Sequence, residues 1–124
     1  MKITKNFSRE EFDCNDGTIV PYIYIENLKE LAKNLQVLRD FLNEPVLITG
    51  SGYRTPSHNK KVGGVKYSQH LTASAADINV KSKTPLQLAK IIEQLISERR
   101  MKQGGIGIYP GFIHYDIRGE KARW

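Results

Sequence analysis

The sequence contains a single cysteine, Cys14, so it can form neither an internal disulfide nor a metal cage built from thiolates. Any bound metal is therefore expected to be held by imidazole and carboxylate groups. The sequence also lacks a secretory signal, and no apolar run approaches the ~20 residues that a membrane helix needs. We expect a protein that is cytoplasmic as synthesised and does not insert into a membrane.

No low-complexity or Pro/Gly-rich linker divides the 124 residues. Apolar residues make up 40% and charged residues 26% of the chain, which is typical of a soluble globular protein. This length suits one compact domain with its own hydrophobic core. We therefore expect a single domain covering residues 1–124, acting as a monomer.

The net charge of +6 favours an anionic partner such as nucleic acid, anionic lipid or a cell-wall polymer. The basic residues are scattered along the chain, so an ordinary solubilising surface explains the charge equally well. The sequence shows no helix-turn-helix pattern and no strip of alternating aromatic and basic residues. We therefore do not expect nucleic acid to be the partner.

Two segments have the apolar spacing of amphipathic helices. The first spans residues 26–42 and stops before Pro45. The second begins at Thr84, which precedes a proline at the first helical position, and is expected to run to about Arg100. Its expected buried positions are Leu86, Leu88, Ala89, Ile92, Leu95 and Ile96.

Short strands are expected at residues 46–49 and 76–80, and in the segments GIGIY and FIHYDIR, which Pro110-Gly111 joins as a hairpin. Between the first two strands, SGYRTPSHNKKVGG is rich in Gly, Pro, Ser and Asn and reads as a long irregular loop. Loops of this length in small domains are often functional. This order predicts an α+β fold with a small, mainly antiparallel sheet backed by two main helices.

Side chains alternate along a strand, so FIHYDIR divides into two faces. Ile113, Tyr115 and Ile117 form an apolar face, whereas His114 and Asp116 lie on the other face. In ADINV the same alternation separates Ile78 and Val80 from Asp77 and Asn79. If both strands belong to one sheet, Asp77, His114 and Asp116 share a side.

His70 precedes Asp77 by seven positions, which would place them roughly 10 Å apart along a helix. Two ligands of one zinc ion must lie much closer, so a shared metal requires the chain to fold back between them. The small residues of SQHLTASAADI permit such a turn. Two histidines and one aspartate with an open fourth position would form a catalytic type of zinc site.

Other interpretations of these residues remain open. His58 is expected to be an ordinary surface histidine, Asp77 could be a turn residue, and Asp116 could simply pair with Arg118.

Three ordered motifs, SGYRTPSHNKKVGG, SQHLTASAADI and GGIGIYPGFIHYDIRG, together resemble the zinc D-alanyl-D-alanine carboxypeptidase and L-alanyl-D-glutamate endopeptidase family. Members of this family cleave peptidoglycan stem peptides and include small phage endolysins with a hedgehog-like fold. The resemblance covers residues from about 45 to 124, and FSREEFDCNDG is also similar to the start of such proteins.

The resemblance implies a Zn²⁺ site made of His70, Asp77 and His114, with Arg54 orienting the substrate and stabilising negative charge. Ala73 replaces the family's usual glycine, a mild change if the backbone there does not need a positive φ. Some branches place a general base two or three residues before the last histidine, where this chain has Gly111 and Phe112.

Asp116 is therefore the best candidate for the general base, and orientation of His114 is its alternative role. The expected function is zinc-dependent hydrolysis of an amide bond in peptidoglycan stem peptides, as a carboxypeptidase or an endopeptidase. Without a signal sequence, the protein would reach the cell wall after release or as part of a virion. The alternative function is a non-catalytic zinc-containing binding module of the same fold.

Overall fold

A computed structural model describes all residues from 1 to 124. The chain forms helices α1 (Ile25–Leu42), α2 (Pro56–Lys61) and α3 (Pro85–Ser97). Its strands are β1 (Leu47–Ile48), β2 (Ala75–Asn79), β3 (Gly105–Tyr109), β4 (Phe112–Asp116) and β5 (Ala122–Arg123). The predicted α+β fold with a mainly antiparallel sheet and two main helices is confirmed.

The five strands form one sheet in the order β1-β2-β4-β3-β5. All neighbours are antiparallel except β3 and β5, which are parallel. The predicted hairpin joins β3 to β4, and Gly111 in its turn has φ +85°, which glycine adopts without strain. β4 is the central strand, and four of its five residues are buried.

Helices α1 and α3 cover the apolar face of the sheet. Each has the apolar stripe that the sequence predicts, and Ile113, Tyr115 and Ile117 of the β4 segment are buried against the same core. Leu86 was expected in that core but is 53% exposed, since it lies in the first turn of α3, ahead of the stripe that begins at Leu88. Helix α3 also ends at Ser97, three residues before its predicted end.

The sequence predicts a long irregular loop between β1 and β2. The structure differs, because this segment contains the short helix α2. Thr55 caps this helix by accepting a hydrogen bond from the backbone N–H of His58, and Pro56 occupies its first position. The same Thr-Pro signal starts α3 at Thr84. The rest of the segment forms the loop that leads towards His70.

No helix in the structure is long and apolar enough to span a bilayer.

Candidate metal centre

Strands β2 and β4 place an aspartate directly opposite a histidine. Asp77 pairs with His114 in the antiparallel register, so both side chains project from the same face of the sheet. The distance between Asp77 Oδ1 and His114 Nδ1 is 3.4 Å. The alternation of side chains along each strand places both residues on one face, and the pairing register makes them direct neighbours.

His70 reaches the same point from a 3₁₀ turn, Gln69–Thr72, just before β2. Ala73 then takes a left-handed conformation with φ +57°, which turns the chain back into the strand. The change from the family's glycine to alanine would be mild only if the backbone did not need a positive φ. The backbone does need one, and residues with a Cβ are disfavoured in this region. The reversal brings His70 Nε2 within 3.4 Å of Asp77 Oδ1.

The second ring nitrogen of each histidine is held by an oxygen acceptor. His70 Nδ1 lies 2.8 Å from the carbonyl oxygen of Gly52, and His114 Nε2 lies 2.7 Å from Asp116 Oδ2. A carbonyl or an ionised carboxylate can only accept, so these nitrogens carry the hydrogens. His70 Nε2 and His114 Nδ1 consequently direct their lone pairs towards Asp77. Metal-binding histidines are typically oriented in this way.

The arrangement fits a zinc ion. His70 Nε2 is buried and has no hydrogen-bond partner, an unfavourable state for a polar atom unless a ligand occupies the space beside it. Zinc bonds of about 2.0–2.1 Å in a tetrahedron place ligand atoms roughly 3.3–3.4 Å apart. The two 3.4 Å separations from Asp77 Oδ1 match this spacing. Three protein ligands leave one tetrahedral position open, as in catalytic zinc sites.

The two neighbouring histidines keep the Asp77 carboxyl ionised, which is the form that binds a metal ion. Burial acts to raise the pKa of this carboxyl, but its contacts with His114 and His70 hold the pKa below its ordinary value. For His114, burial acts to lower the pKa, whereas Asp116 and Asp77 raise it above its ordinary value. The two carboxylates thus stabilise positive charge at this point, whether it comes from a proton or a metal ion.

Asp116 is fully buried behind His114. Its Oδ1 accepts hydrogen bonds from the backbone N–H groups of Gly105 and Arg118 and from Arg118 Nε, while Oδ2 accepts from His114 and Arg118 Nη2. Burial opposes ionisation, but these donors lower the pKa of Asp116 below its ordinary value. Asp116 is therefore an ionised acceptor that fixes the position of the His114 ring.

Arg54 and Arg118 bring two guanidinium groups to the same cleft. Arg54 Nη2 lies 3.5 Å from Asp77 Oδ2, and Arg54 Nη1 donates to Asn59 Oδ1 at 3.2 Å. The structure therefore brings together all five residues selected from the sequence: Arg54, His70, Asp77, His114 and Asp116. Arg118 was considered only as a partner of Asp116, although it also lines the cleft.

The cleft has a volume of about 560 Å³ and an aromatic wall. Tyr109 and Phe112 stack at 4.9 Å between ring centroids, and Trp124 packs against His114 at 5.0 Å and donates to the Tyr109 hydroxyl. Local spacing gives no sign of Trp124, because its place beside His114 depends on the parallel pairing of β5 with β3. Asp77 is the only acidic residue among those that line the cleft.

Gly105 allows the close approach of β3 to Asp116, and its substitution tests how tightly that carboxylate is held. A Cβ at this position would lie 2.3 Å from Asp116 Oδ2 and 2.9 Å from its Cγ. Because Asp116 is buried and fully bonded, we expect Gly105→Ala to lower the free energy of unfolding by about 1–3 kcal/mol. Denaturant unfolding measures this, with Lys121→Ala as the exposed control. Unchanged stability would show that Asp116 can move.

Comparison with known protein families identifies the family of this chain. The family model described as Peptidase M15 matches residues 5–116, which include every residue of the candidate metal centre. No curated protein matches the chain. The match covers most of the sequence, and we conclude that the chain belongs to the M15 family of zinc D-Ala-D-Ala carboxypeptidases.

Proposed function

We propose that the protein hydrolyses an amide bond in peptidoglycan stem peptides with a zinc ion held by His70, Asp77 and His114. The observation that carries the proposal is the convergence of three ligand atoms, one of which is the unpartnered His70 Nε2. Membership in a family of metal-dependent peptidases supports the reaction class. Bound zinc would lower the pKa of a coordinated water to about 7 and polarise the scissile carbonyl.

Arg54 is proposed to bind the substrate beside the metal ligands. Its guanidinium is always charged, and its contact with Asp77 places it at the edge of the metal site. There it can stabilise negative charge that develops on the carbonyl oxygen, or bind a substrate carboxylate. Asn59 holds Nη1, so the guanidinium is oriented before the substrate arrives.

Asp116 is proposed to orient His114 and not to receive the proton from water. It is buried, is not among the residues lining the cleft, and accepts hydrogen bonds from five donor groups. A carboxylate in this setting has no free access to solvent. The general-base role expected from the sequence is therefore the less favoured of its two roles.

Asp116→Asn separates the two roles. For an orienting residue, we expect zinc affinity to fall about 10–100-fold, because His114 loses a charged acceptor. Hydrolysis should then recover to within a few-fold of wild type when zinc is saturating. Zinc affinity and turnover are measured separately, after thermal melting has shown that the variant is folded. A large loss of turnover at saturating zinc would instead identify Asp116 as the base.

The peptidoglycan substrate is proposed from charge and family. Stem peptides carry several carboxylates, and the cleft presents Arg54 and Arg118 on a chain with net charge +6. The protein would meet this substrate after release from the cell or as part of a virion.

Mass spectrometry of digested muropeptides tests the proposal. Purified protein with zinc should release peptide fragments or terminal D-alanine, and a chelator should stop the release until zinc is restored. The masses of the products identify the bond. Intact muropeptides after incubation with the zinc-loaded protein would contradict the proposal.

One observation favours the alternative of a non-catalytic zinc module. Asp77 is the only acidic residue lining the cleft, and it is a proposed ligand, so no free carboxylate stands beside the metal site as a base. A binding module would retain cell-wall peptides in a zinc-dependent manner without changing their mass. The same digestion, combined with a pull-down on purified cell walls, distinguishes the two functions.

A further inference from the structure

A second group of metal-binding side chains lies outside the cleft. Cys14, Asp16 and His58 each offer one ligand atom, and these atoms all lie within 4.8 Å of one another. None of the three residues lines the cleft. Cys14 is 4% exposed, His58 is half-buried and Asp16 is exposed, so the group opens to solvent on one side.

The backbone holds these residues in place before any ligand binds. Cys14 begins a tight turn in which its N–H donates to the Thr18 carbonyl and its own carbonyl accepts from Gly17 N–H. The Asp16 carboxylate accepts from Thr18 N–H at 2.9 Å and from the Thr55 hydroxyl at 2.7 Å. Thr55 also caps α2, the helix that carries His58. Thr55 therefore links the Cys14 turn to α2 through its hydroxyl group.

Hydrogen bonds within the protein leave a ligand atom of each side chain able to bind a metal ion. The two Asp16 oxygens provide about four lone-pair sites, of which the two hydrogen bonds use part. The ring of His58 makes no hydrogen bond within the protein. Only its backbone is engaged: its N–H donates to the Thr55 hydroxyl and its carbonyl accepts from Val62 N–H. Cys14 Sγ is approached by a single weak donor, the Ser51 hydroxyl, at 3.8 Å.

We propose that Cys14, Asp16 and His58 form a second zinc site. Thiolate, imidazole and carboxylate are the three ligand types that zinc accepts, whereas Mg²⁺ and Ca²⁺ prefer oxygen alone. The expectation that any metal is held only by imidazole and carboxylate does not apply to this site. A lone cysteine excludes a thiolate cage but not a mixed site, and residues 14 and 58 become neighbours only in the fold.

A zinc ion at this site would stabilise the segment that supports His70. The Ser51 hydroxyl contacts Cys14 and accepts from Asn15 N–H at 2.7 Å. The next residue, Gly52, supplies the carbonyl that holds His70 Nδ1. The ion would therefore stabilise the support of His70 without touching the substrate.

Cobalt substitution tests the second site independently of hydrolysis. Thiolate coordination of Co²⁺ gives a sulfur-to-metal charge-transfer band in the near ultraviolet, which the His/Asp/His site cannot produce. We expect this band on titrating the metal-free protein with Co²⁺, and two bound zinc ions per chain by elemental analysis. Cys14→Ser should lose the band and one zinc ion. His70→Ala should lose one zinc ion and keep the band.

His58→Ala provides a second variant, since its half-buried ring makes no hydrogen bond and its loss should leave the fold intact. It should also weaken or abolish the band, because the thiolate loses a partner ligand. Absence of the band in wild type would overturn the proposal. So would a band that His58→Ala leaves unchanged. Neither result depends on whether the protein cleaves peptidoglycan.

Discussion

His70→Ala is expected to abolish hydrolysis and to remove the zinc ion from the proposed catalytic site. The substitution deletes one of three ligands and leaves Asp77 and His114, too few to hold zinc in a catalytic geometry. Without the metal, no group in the cleft lowers the pKa of water towards neutrality. We expect the loss of activity to exceed the roughly 10²–10³-fold typical of losing one transition-state contact. Steady-state hydrolysis and elemental analysis measure the two effects.

The stability of His70→Ala provides a control for this interpretation. The Gly52 carbonyl loses its partner, at a cost of about 1–3 kcal/mol, but an unpartnered buried nitrogen is also removed. The metal-free variant should therefore remain folded by circular dichroism. Its zinc-dependent rise in Tm should be smaller than that of wild type. A folded variant that keeps substantial activity would show that His70 is not a zinc ligand.

Arg54→Ala is expected to reduce kcat/KM about 10²–10³-fold, or roughly 3–4 kcal/mol in the barrier, while the zinc content stays unchanged. Arg54 contacts Asp77 through Oδ2, whereas both histidines approach Oδ1. The substitution should therefore remove a substrate contact and spare the ligand atoms. Kinetics at saturating zinc measure the effect.

Two further variants define what Arg54 contributes. Arg54→Lys keeps the charge but loses the planar fork, so we expect it to recover only part of the activity. Arg39→Ala, on α1 and away from the cleft, controls for the loss of one positive charge. Equal losses in Arg39→Ala and Arg54→Ala would reduce the role of Arg54 to general electrostatic attraction.

Local sequence patterns predicted those parts of the fold that depend on neighbouring residues. The apolar repeat of α1, the Thr-Pro start of α3 and the Pro-Gly hairpin each rest on interactions within a few residues. The alternation in β2 and β4 placed Asp77 and His114 on a common face. In each case the residue types that determine the element lie inside the element itself.

The remaining features depend on contacts between distant segments. The register that sets Asp77 opposite His114 follows from the packing of whole strands and cannot be read from either strand alone. The same holds for the support of His70 by Gly52 and for the position of Trp124. The positive φ of Ala73 is imposed by the chain reversal between the 3₁₀ turn and β2. An alanine in the sequence gives no local sign of this conformation.

The most direct measurement is anomalous diffraction at the zinc absorption edge from a crystal of the zinc-loaded protein. We predict a peak about 2.0–2.2 Å from His70 Nε2, His114 Nδ1 and an oxygen of Asp77. Absence of a peak at these three atoms in fully loaded protein would contradict the proposed catalytic centre.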